Sequence, residues 1–240
     1  MDIGKSFSYP FEDENWLSKL FLGAIVSAVP ILNFAWTGYT VDIVRNVSDG
    51  VSLPLPDWSE FGDKFVKGFL IWAAGIIYSL PALLFTCLPI GLLALPAIGE
   101  GSNYSDTFFS VFTGIGIFLI CLLVLYGLVL SFYLPAVYIN FARKGTFGSC
   151  FEIREIIKIV SENTSQYLTA WLISIVAAIG VGIVIALAAS LLSWIICLGW
   201  ILAWLIGAIG SVYIYTIFSH LFGQVSADKS LSTTITETEG

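Results

Sequence analysis

Charged residues are the scarcest feature of this 240-residue chain, because only 11% of its residues are Asp, Glu, Lys or Arg. Four stretches contain none of these residues at all: 20–41, 68–99, 107–142 and 163–227. An uncharged apolar stretch of about 20 residues is what a helix needs to cross the hydrocarbon core of a bilayer. A water-soluble domain of this size could not carry such stretches without a large exposed apolar surface. The pattern therefore excludes a soluble globular protein and predicts an integral membrane protein.

Basic residues and histidine are also few, which limits the functions open to the chain. Ten Lys and Arg stand against seventeen Asp and Glu, and this net charge of −7 argues against a nucleic acid partner. His220 is the single histidine, so a histidine metal cluster cannot form and a Ser-His-Asp triad could use only this ring. Carboxylates that mark proton or cation pathways are missing from the apolar stretches. We therefore expect a protein that is not an enzyme and has no cofactor and no metal.

Hydrophobic residues make up 58% of the chain and fall into five apolar segments. The segments are 16–47, 65–98, 107–142, 167–192 and 196–222. They are preceded by a polar lead, 1–15, separated by connectors at 48–64 and 143–166, and followed by a Ser/Thr-rich tail, 225–240, that we expect to be disordered. The predicted fold class is all-α: a polytopic helical membrane bundle with about four full spans in one membrane domain, 16–224.

Prolines lie in three of these segments, near the end of 107–142 as Pro135 and well inside the other two. Pro30 lies near the centre of 16–47 and predicts a kink or break, so this segment either spans the membrane or is re-entrant. The segment 65–98 would be about 50 Å long as one helix, which exceeds the hydrocarbon thickness. It contains three prolines, and we expect its span to end near Thr86 and a bent stretch to follow.

The orientation of the bundle follows from its basic residues, which favour the cytoplasmic side. The loop 99–106 and the turn near 193–199 have none, whereas the two connectors and their borders contain most of them: Arg45, Lys64, Lys67, Arg143, Lys144, Arg154 and Lys158. We expect a multi-pass protein of the cell membrane with both connectors and the C-terminus in the cytoplasm. A re-entrant 16–47 would put every basic residue of the chain on that side, which favours the re-entrant form.

Apolar residues recur at helical spacing in both connectors. The first set is Trp58, Phe61 and Phe65, and the second is Cys150, Ile153, Ile156, Ile157 and Val160. Each pattern predicts an amphipathic helix at the membrane surface. On one interpretation such a helix is a gate or a docking surface, and on the other it simply joins two spans.

A run of spaced Gly, Tyr, Arg and Leu-Pro-x-Trp residues begins at the end of the first apolar segment. Its members are Gly38, Tyr39, Arg45, Gly50, Leu55, Pro56, Trp58 and Gly68. This run resembles the motif of the polytopic, largely archaeal and bacterial family catalogued as domain of unknown function 4013, with Gly68-Phe69 where Gly-Leu is usual. The resemblance implies a prokaryotic cell-membrane protein, and no catalytic residue, since the family has no established activity. We expect the motif residues to have structural roles.

Asn33, Asn140 and His220 are the notable polar residues within or near the apolar segments. Interhelical hydrogen bonds are their ordinary role, and contact with a ligand is the alternative. The function we favour is a non-enzymatic accessory or scaffold module that interacts with membrane lipid, a protein partner or a second copy of itself. The alternative is a transporter or channel for a small neutral or lipid-like solute, because proline-broken helices line the central sites of transporters.

Overall fold

The computed structural model describes residues 1–98, 106–192, 194–195 and 198–238. In these ranges the chain is helical and contains no strand, which confirms the predicted all-α class. The α-helices are α1 (Ile3–Ser8), α2 (Trp16–Ala28), α3 (Asn33–Ser48), α4 (Phe61–Ile98), α5 (Asp106–Lys144), α6 (Ile153–Glu162), α7 (Thr164–Leu192) and α8 (Leu198–Thr238). Two short 3-10 helices, Tyr9–Glu12 and Phe147–Phe151, lie before α2 and α6.

Four of these helices are long and apolar enough to cross a membrane. The candidate spans are Phe61–Leu83, Thr113–Lys144, Thr164–Leu192 and Gly199–Ala227. Only 6% of the residues in the apolar windows of α5 and α7 are buried inside the protein. Apolar surface of this extent needs a non-aqueous surrounding, so the number of full spans agrees with the sequence.

The chain breaks at Pro30, as the sequence predicts. Helix α2 ends at Ala28 and α3 begins at Asn33, so the segment 16–47 is a helical hairpin. With 13 residues α2 is about 20 Å long, which is less than the hydrocarbon thickness. The start of α2 contacts the loop after α3, where the Trp58 indole donates to the Lys19 carbonyl at 3.1 Å. The hairpin therefore begins and ends on the same side of the bundle.

The prediction of the first amphipathic helix is wrong. Residues 49–60 form turns and extended backbone, and the helix that follows begins only at Phe61. Pro54 and Pro56 explain this, because proline has no N–H to donate and holds the preceding residue in an extended conformation. Trp58 thus lies in a loop, although its spacing to Phe61 is helical.

The second predicted amphipathic helix is confirmed as α6. Ile156 and Ile159 are buried against the protein, whereas Ile153 and Ile157 are exposed. Helix α6 follows directly on α5 and its 3-10 helix and leads into α7. Because α5 and α7 are candidate spans, the short helix between them stays close to the ends of both.

Two further boundaries can be compared with the sequence prediction. The candidate span within α4 ends at Leu83, close to the expected Thr86, but the bent stretch expected after it is wrong, because α4 is continuous to Ile98. The predicted disordered tail begins too early at 225, because α8 extends past this point and Val225 and Ser226 are buried. The predicted loop at 99–106 lies outside the described residues except for Asp106.

The N-terminal lead is ordered and packs on α8. Asp2 caps α1 by accepting a hydrogen bond from the Lys5 amide at 2.9 Å. Tyr9 is buried and its hydroxyl donates to the Thr216 carbonyl at 3.1 Å. A segment that the sequence suggests only as a polar lead therefore contributes to the core.

The chain divides into two compact units, residues 1–72 with 135–240, and residues 73–134. In the first unit α8 packs against α7, α3 and α2. Its most buried residues lie on α3 and near the C-terminal ends of α5 and α8, among them Val44, Phe141 and Phe222. In the second unit the Tyr126 hydroxyl donates to the Tyr78 carbonyl at 2.7 Å.

Candidate functional site

Helices α3 and α4 cross at two glycines of the family-like motif. A Cβ atom on Gly38 would lie 1.8 Å from the carbonyl oxygen of Lys64, and one on Gly68 would lie 1.7 Å from that of Phe34. Real Cβ atoms do not approach oxygen so closely, so the two backbones are in contact only because these residues lack side chains. The glycines thus determine where the start of α4 packs against α3. This crossing belongs to the end of the first unit that also contains the loop 49–60 and the C-terminal ends of α3 and α5, and we call it the polar end.

Ion pairs reinforce this crossing. Asp42 of α3 accepts from the Lys67 ammonium at 2.7 Å and lies 3.6 Å from that of Lys64. Lys67 also contacts Asp63 at 2.5 Å, one turn earlier on α4. The side chain of Lys64 is only 4% exposed, and Asp42 is the carboxylate that compensates its buried positive charge. Asp42 therefore pairs with the two lysines of α4.

An aromatic stack holds the loop 49–60 against the hairpin. The Trp58 ring lies 4.6 Å from that of Tyr39, which lies 5.2 Å from that of Trp36. The three rings are nearly parallel, and Tyr39 and Trp36 are fully or almost fully buried. Together with the bond to Lys19 O, the stack fixes Trp58 at the start of α2.

Lys19 links α2 to the segment before the hairpin and to the loop after it. Its ammonium contacts Asp13 at 2.9 Å and Asp57 at 3.0 Å, and donates to the Leu55 carbonyl at 3.1 Å. Burial would raise the pKa of Asp13, but hydrogen bonds from Lys19 and the Asn15 amide outweigh it and lower this pKa below its ordinary value. Pro56, half-buried, lies between Leu55 and Asp57.

Two arginines make hydrogen bonds that join the C-terminal ends of α3 and α5 to each other and to α8 at Ser226. Arg45 Nε donates to the Ala142 carbonyl at 2.8 Å, and Arg143 donates from Nε to Ser226 Oγ at 2.8 Å and from Nη2 to its carbonyl at 2.7 Å. Ser226 Oγ also lies 2.8 Å from Ser48 Oγ. We call Arg45, Ser48, Arg143 and Ser226 the arginine corner.

Two glycines with positive φ end helices beside the arginine corner. Gly50 has φ of 72° just after α3, and Gly145 has φ of 69° just after α5. Left-handed glycine commonly ends a helix because it has no Cβ penalty there. The motif residue Gly50 therefore lets the chain turn from α3 into the loop.

Asn140 joins α5 to the connector that follows it. Its amide donates to the Ser149 carbonyl at 2.8 Å and to Glu152 at 3.2 Å, and Lys144 pairs with the same carboxylate. These contacts, that of Lys144 first, lower the pKa of Glu152. Asn33 is exposed at the first residue of α3 and takes no part in the polar end.

His220 is buried in a network that ties α1 to α8. Its Nδ1 lies 2.9 Å from Ser6 Oγ and 2.9 Å from Gln224 Nε2, and its ring stacks on Tyr9 at 4.3 Å. Gln224 also pairs with the backbone of Asp2, accepting from its amide at 2.6 Å and donating to its carbonyl at 2.9 Å. A cavity of about 200 Å³ with both polar and apolar lining residues adjoins His220 and Gln224.

A second, apolar cavity of about 290 Å³ lies between α2 and α8. Leu20, Phe21 and Ile209 are among its walls, and Phe11 with Trp16 and Tyr213 form an aromatic edge. Among the residues that the structure describes, no three His, Cys, Asp or Glu side chains are grouped so that they could hold a metal ion.

The structure thus brings six of the eight motif residues into identified contacts, places Gly50 in the turn after α3, and leaves Pro56 half-buried in the loop. The sequence analysis missed Lys19 and Ser226 as contributors. Lys19 was visible as a charge just before an uncharged stretch, but its partners Asp13 and Leu55 are not at helical spacing from it. Ser226 had no signal of its own, since it lies in the expected tail.

Over the residues that the structure describes, the fold is all-helical, with four helices that could span a membrane and a polar end built largely from helix termini. The model of the family described as "Protein of unknown function (DUF4013)" matches residues 21–194, and the chain belongs to this family. It is similar to the uncharacterized protein MJ1189 of Methanocaldococcus jannaschii, with 29% identity over 137 residues. That alignment covers 55% of this chain and 43% of the relative, so the chain spans less than half of the relative's length. No solved structure matches the chain.

Proposed function

We propose that this protein is a non-enzymatic accessory or scaffold protein of the cell membrane, with membrane lipid and a protein partner or second copy as its contacts. The observation that carries this proposal is the use of the motif's polar groups. Arg45 and Trp58 donate to backbone carbonyls of other helices, and Gly38 provides a helix crossing. Groups engaged in this way hold helices together, whereas a catalytic group must reach its substrate.

The direction of the α2–α3 hairpin supports a cytoplasmic polar end. Since the hairpin returns to the side on which it begins, Lys19 lies on the same side as the loop 49–60. Arg45 and Arg143 lie on this side too, at the ends of α3 and α5. Basic residues concentrate in the cytoplasm, so we assign both connectors and the C-terminal end of α8 to that compartment, with the hairpin re-entrant.

The apolar cavity between α2 and α8 supports contact with lipid. Its lining residues are nearly all hydrophobic, and α8 is a candidate span. Trp16 and Tyr213 at its edge have the amphipathic rings that prefer the headgroup level. The same cavity is what favours the alternative function, a transporter of a lipid-like solute.

Flux measurements with the purified protein in liposomes separate the two functions. The accessory function predicts that proteoliposomes and protein-free liposomes pass small neutral solutes at equal rates. It also predicts equal rates of transbilayer movement for a fluorescent phospholipid analogue. Specific and saturable flux in either assay would overturn the accessory function and favour the transporter.

A further inference from the structure

The arginine corner leaves hydrogen-bond donors unused. A guanidinium has five N–H groups; Arg45 uses one of them on Ala142 O and Arg143 uses two on Ser226. In the described part of the chain, the buried side-chain atoms without a partner are Trp36 Nε1, Tyr39 Oη and Gln166 Oε1. The Nη atoms of half-buried Arg45 are not among them, so they reach the surface. Arg143 is exposed.

Both arginines also lack a carboxylate partner within the described ranges. Every ion pair found there is made by a lysine: Lys19, Lys64, Lys67, Lys144 or Lys158. Asp42, one turn before Arg45, is already engaged by the lysines of α4. Glu152, the acid nearest in sequence after Arg143, is engaged by Lys144 and Asn140. Glu155 and Glu162 act on the Arg143 charge only from beyond ion-pair distance, so neither arginine of the corner is in an ion pair within the described ranges.

Both guanidinium groups are held by hydrogen bonds at adjoining ends of α3 and α5. Arg45 bonds to the carbonyl of Ala142, the residue before Arg143, and its Nη2 lies 3.5 Å from where a Cβ of Gly145 would be. Ser48, one turn after Arg45, meets the same Ser226 hydroxyl that Arg143 binds. The edge of each guanidinium that carries Nε is held, and this fixes the direction of the other edge. A pre-positioned fork loses little entropy when it binds.

The position of the corner fits a phosphate ligand. Arg143 lies at the end of the span Thr113–Lys144, and Ser226 at the end of the span Gly199–Ala227. The ends of spanning helices lie at the depth of lipid phosphates, and basic pockets between such helices bind anionic headgroups. Carbonyl groups at the C-terminal end of a helix repel an anion. Two of the carbonyls here, those of Ala142 and Ser226, already accept hydrogen bonds from the arginines.

We propose that Arg45 and Arg143 together form a binding site for a phosphate group, presented by an anionic lipid headgroup or by a soluble phosphorylated compound. Guanidinium recognises phosphate through paired charge-assisted hydrogen bonds. Ser48 and Ser226 hold the arginines in place and are positioning residues. The site rests on the proposed lipid interaction and names the chemistry of that ligand.

The test uses full-length protein in nanodiscs that contain phosphatidylcholine with or without phosphatidylglycerol. Native mass spectrometry measures which lipid stays bound to the protein. Wild type retains phosphatidylglycerol in preference to phosphatidylcholine, and the variant with Arg45→Gln and Arg143→Gln loses about tenfold of this preference, as expected for one or two charge-assisted bonds. The matched control is Arg154→Gln, which removes an exposed arginine of α6 outside the corner and leaves the preference intact.

A second arm identifies the source of the phosphate. Inorganic phosphate and glycerol 3-phosphate are added to wild type in phosphatidylcholine nanodiscs, and the thermal midpoint is recorded. A rise that the double variant lacks assigns the site to a soluble phosphate compound. No rise, together with retention of phosphatidylglycerol, assigns it to a lipid headgroup. No preference for either phosphate source, or an equal loss in Arg154→Gln, overturns the site.

Because Arg45 also holds α3 to α5, the double variant could fail to fold, and a wild-type measurement covers this case. Phenylglyoxal modifies accessible guanidinium groups, and the modified residues are identified by mass spectrometry. Phosphatidylglycerol protects Arg45 and Arg143 but not Arg154 if the site exists, and equal modification with and without it overturns the site. Specific flux in liposomes would overturn the accessory function, and that result does not depend on what the arginines bind.

Discussion

Gly38 lies against the carbonyl group of Lys64 with no room for a side chain, since an added Cβ would be 1.8 Å from the oxygen. Gly68 repeats this arrangement against Phe34, so each helix contributes one glycine to the crossing of α3 and α4. The ion pairs of Asp42 with Lys64 and Lys67 form only while this crossing is kept. The absence of a Cβ atom on these two glycines thus lets the start of α4 pack directly against α3 of the hairpin.

Alanine at either crossing glycine should destabilise the protein. Gly38→Ala and Gly68→Ala force the backbones apart, which costs about 3 kcal/mol, at the upper end of what overpacking costs. The measurement is the free energy of unfolding in mixed micelles. Gly75→Ala, on the same helix with no atom within 4 Å of the added Cβ, is the control and should be neutral or slightly stabilising. Equal effects at all three positions would contradict the close crossing.

The Trp58 indole should matter through both its ring and its N–H. Trp58→Phe keeps part of the stack on Tyr39 but loses the bond to Lys19 O, at about 1 kcal/mol. Trp58→Ala also removes the stack and should cost about 3 kcal/mol. Trp194, 88% exposed, provides the control, because its replacement by Ala removes few protein contacts. Thermal midpoints in detergent measure the ranking, and an indifferent Trp58→Ala would rule out the stack as an anchor.

Stability should fall at low pH through Asp13. Its folded pKa is lowered from the ordinary 3.8, so the ionised carboxylate stabilises the folded state above that value. This contribution is lost as the pH falls through the lowered folded pKa, where Asp13 takes up a proton and its pair with Lys19 is weakened. Unfolding midpoints measured from neutral pH downward should decline less in Asp13→Asn than in wild type. Glu14→Gln, at an exposed neighbour, should decline as wild type does.

A re-entrant hairpin makes a definite prediction for labelling in cells. In a chain whose four native cysteines are replaced by alanine, Gly4→Cys should stay unlabelled by a membrane-impermeant maleimide added to intact cells, and become labelled after lysis. Asn103→Cys, in the loop predicted on the outer side, should be labelled before lysis. Labelling of both positions from outside would mean that the segment 16–47 crosses the membrane.

The charge-free stretches were sufficient to predict the all-α class and the four long apolar helices, and the resemblance of the motif from Gly38 to Gly68 predicted the family. Pro30 predicted the break between α2 and α3 because the loss of one helical N–H is a local effect. The helical spacing of Trp58 and Phe61 led to a wrong prediction of a helix at Trp58, because it did not take account of the effect of Pro54 and Pro56 on the backbone. Helix α4 passes through its prolines to Ile98, which shows that the length argument alone does not locate a break.

The candidate site was predictable in its members but not in their partners. Arg45 was expected to have a structural role, but the sequence did not indicate that its Nε bonds to Ala142, 97 residues away. Tyr39 was identified from the motif, but its stack with Trp58 requires the loop to fold back over the hairpin. Such pairings depend on how helices meet in space, and helical periodicity reports only which residues share a face.

Several contacts between segments at the polar end have a main-chain oxygen as acceptor, including those of Lys19, Ala142 and Ser226. Every residue type carries this oxygen, so mutation at such an accepting position leaves the acceptor in place. In these contacts only the donating side chains, such as Arg45 and Trp58, are restricted in identity. Distant relatives can therefore diverge over much of their length and still build the same end, as long as a handful of donors stays in register with the helix termini.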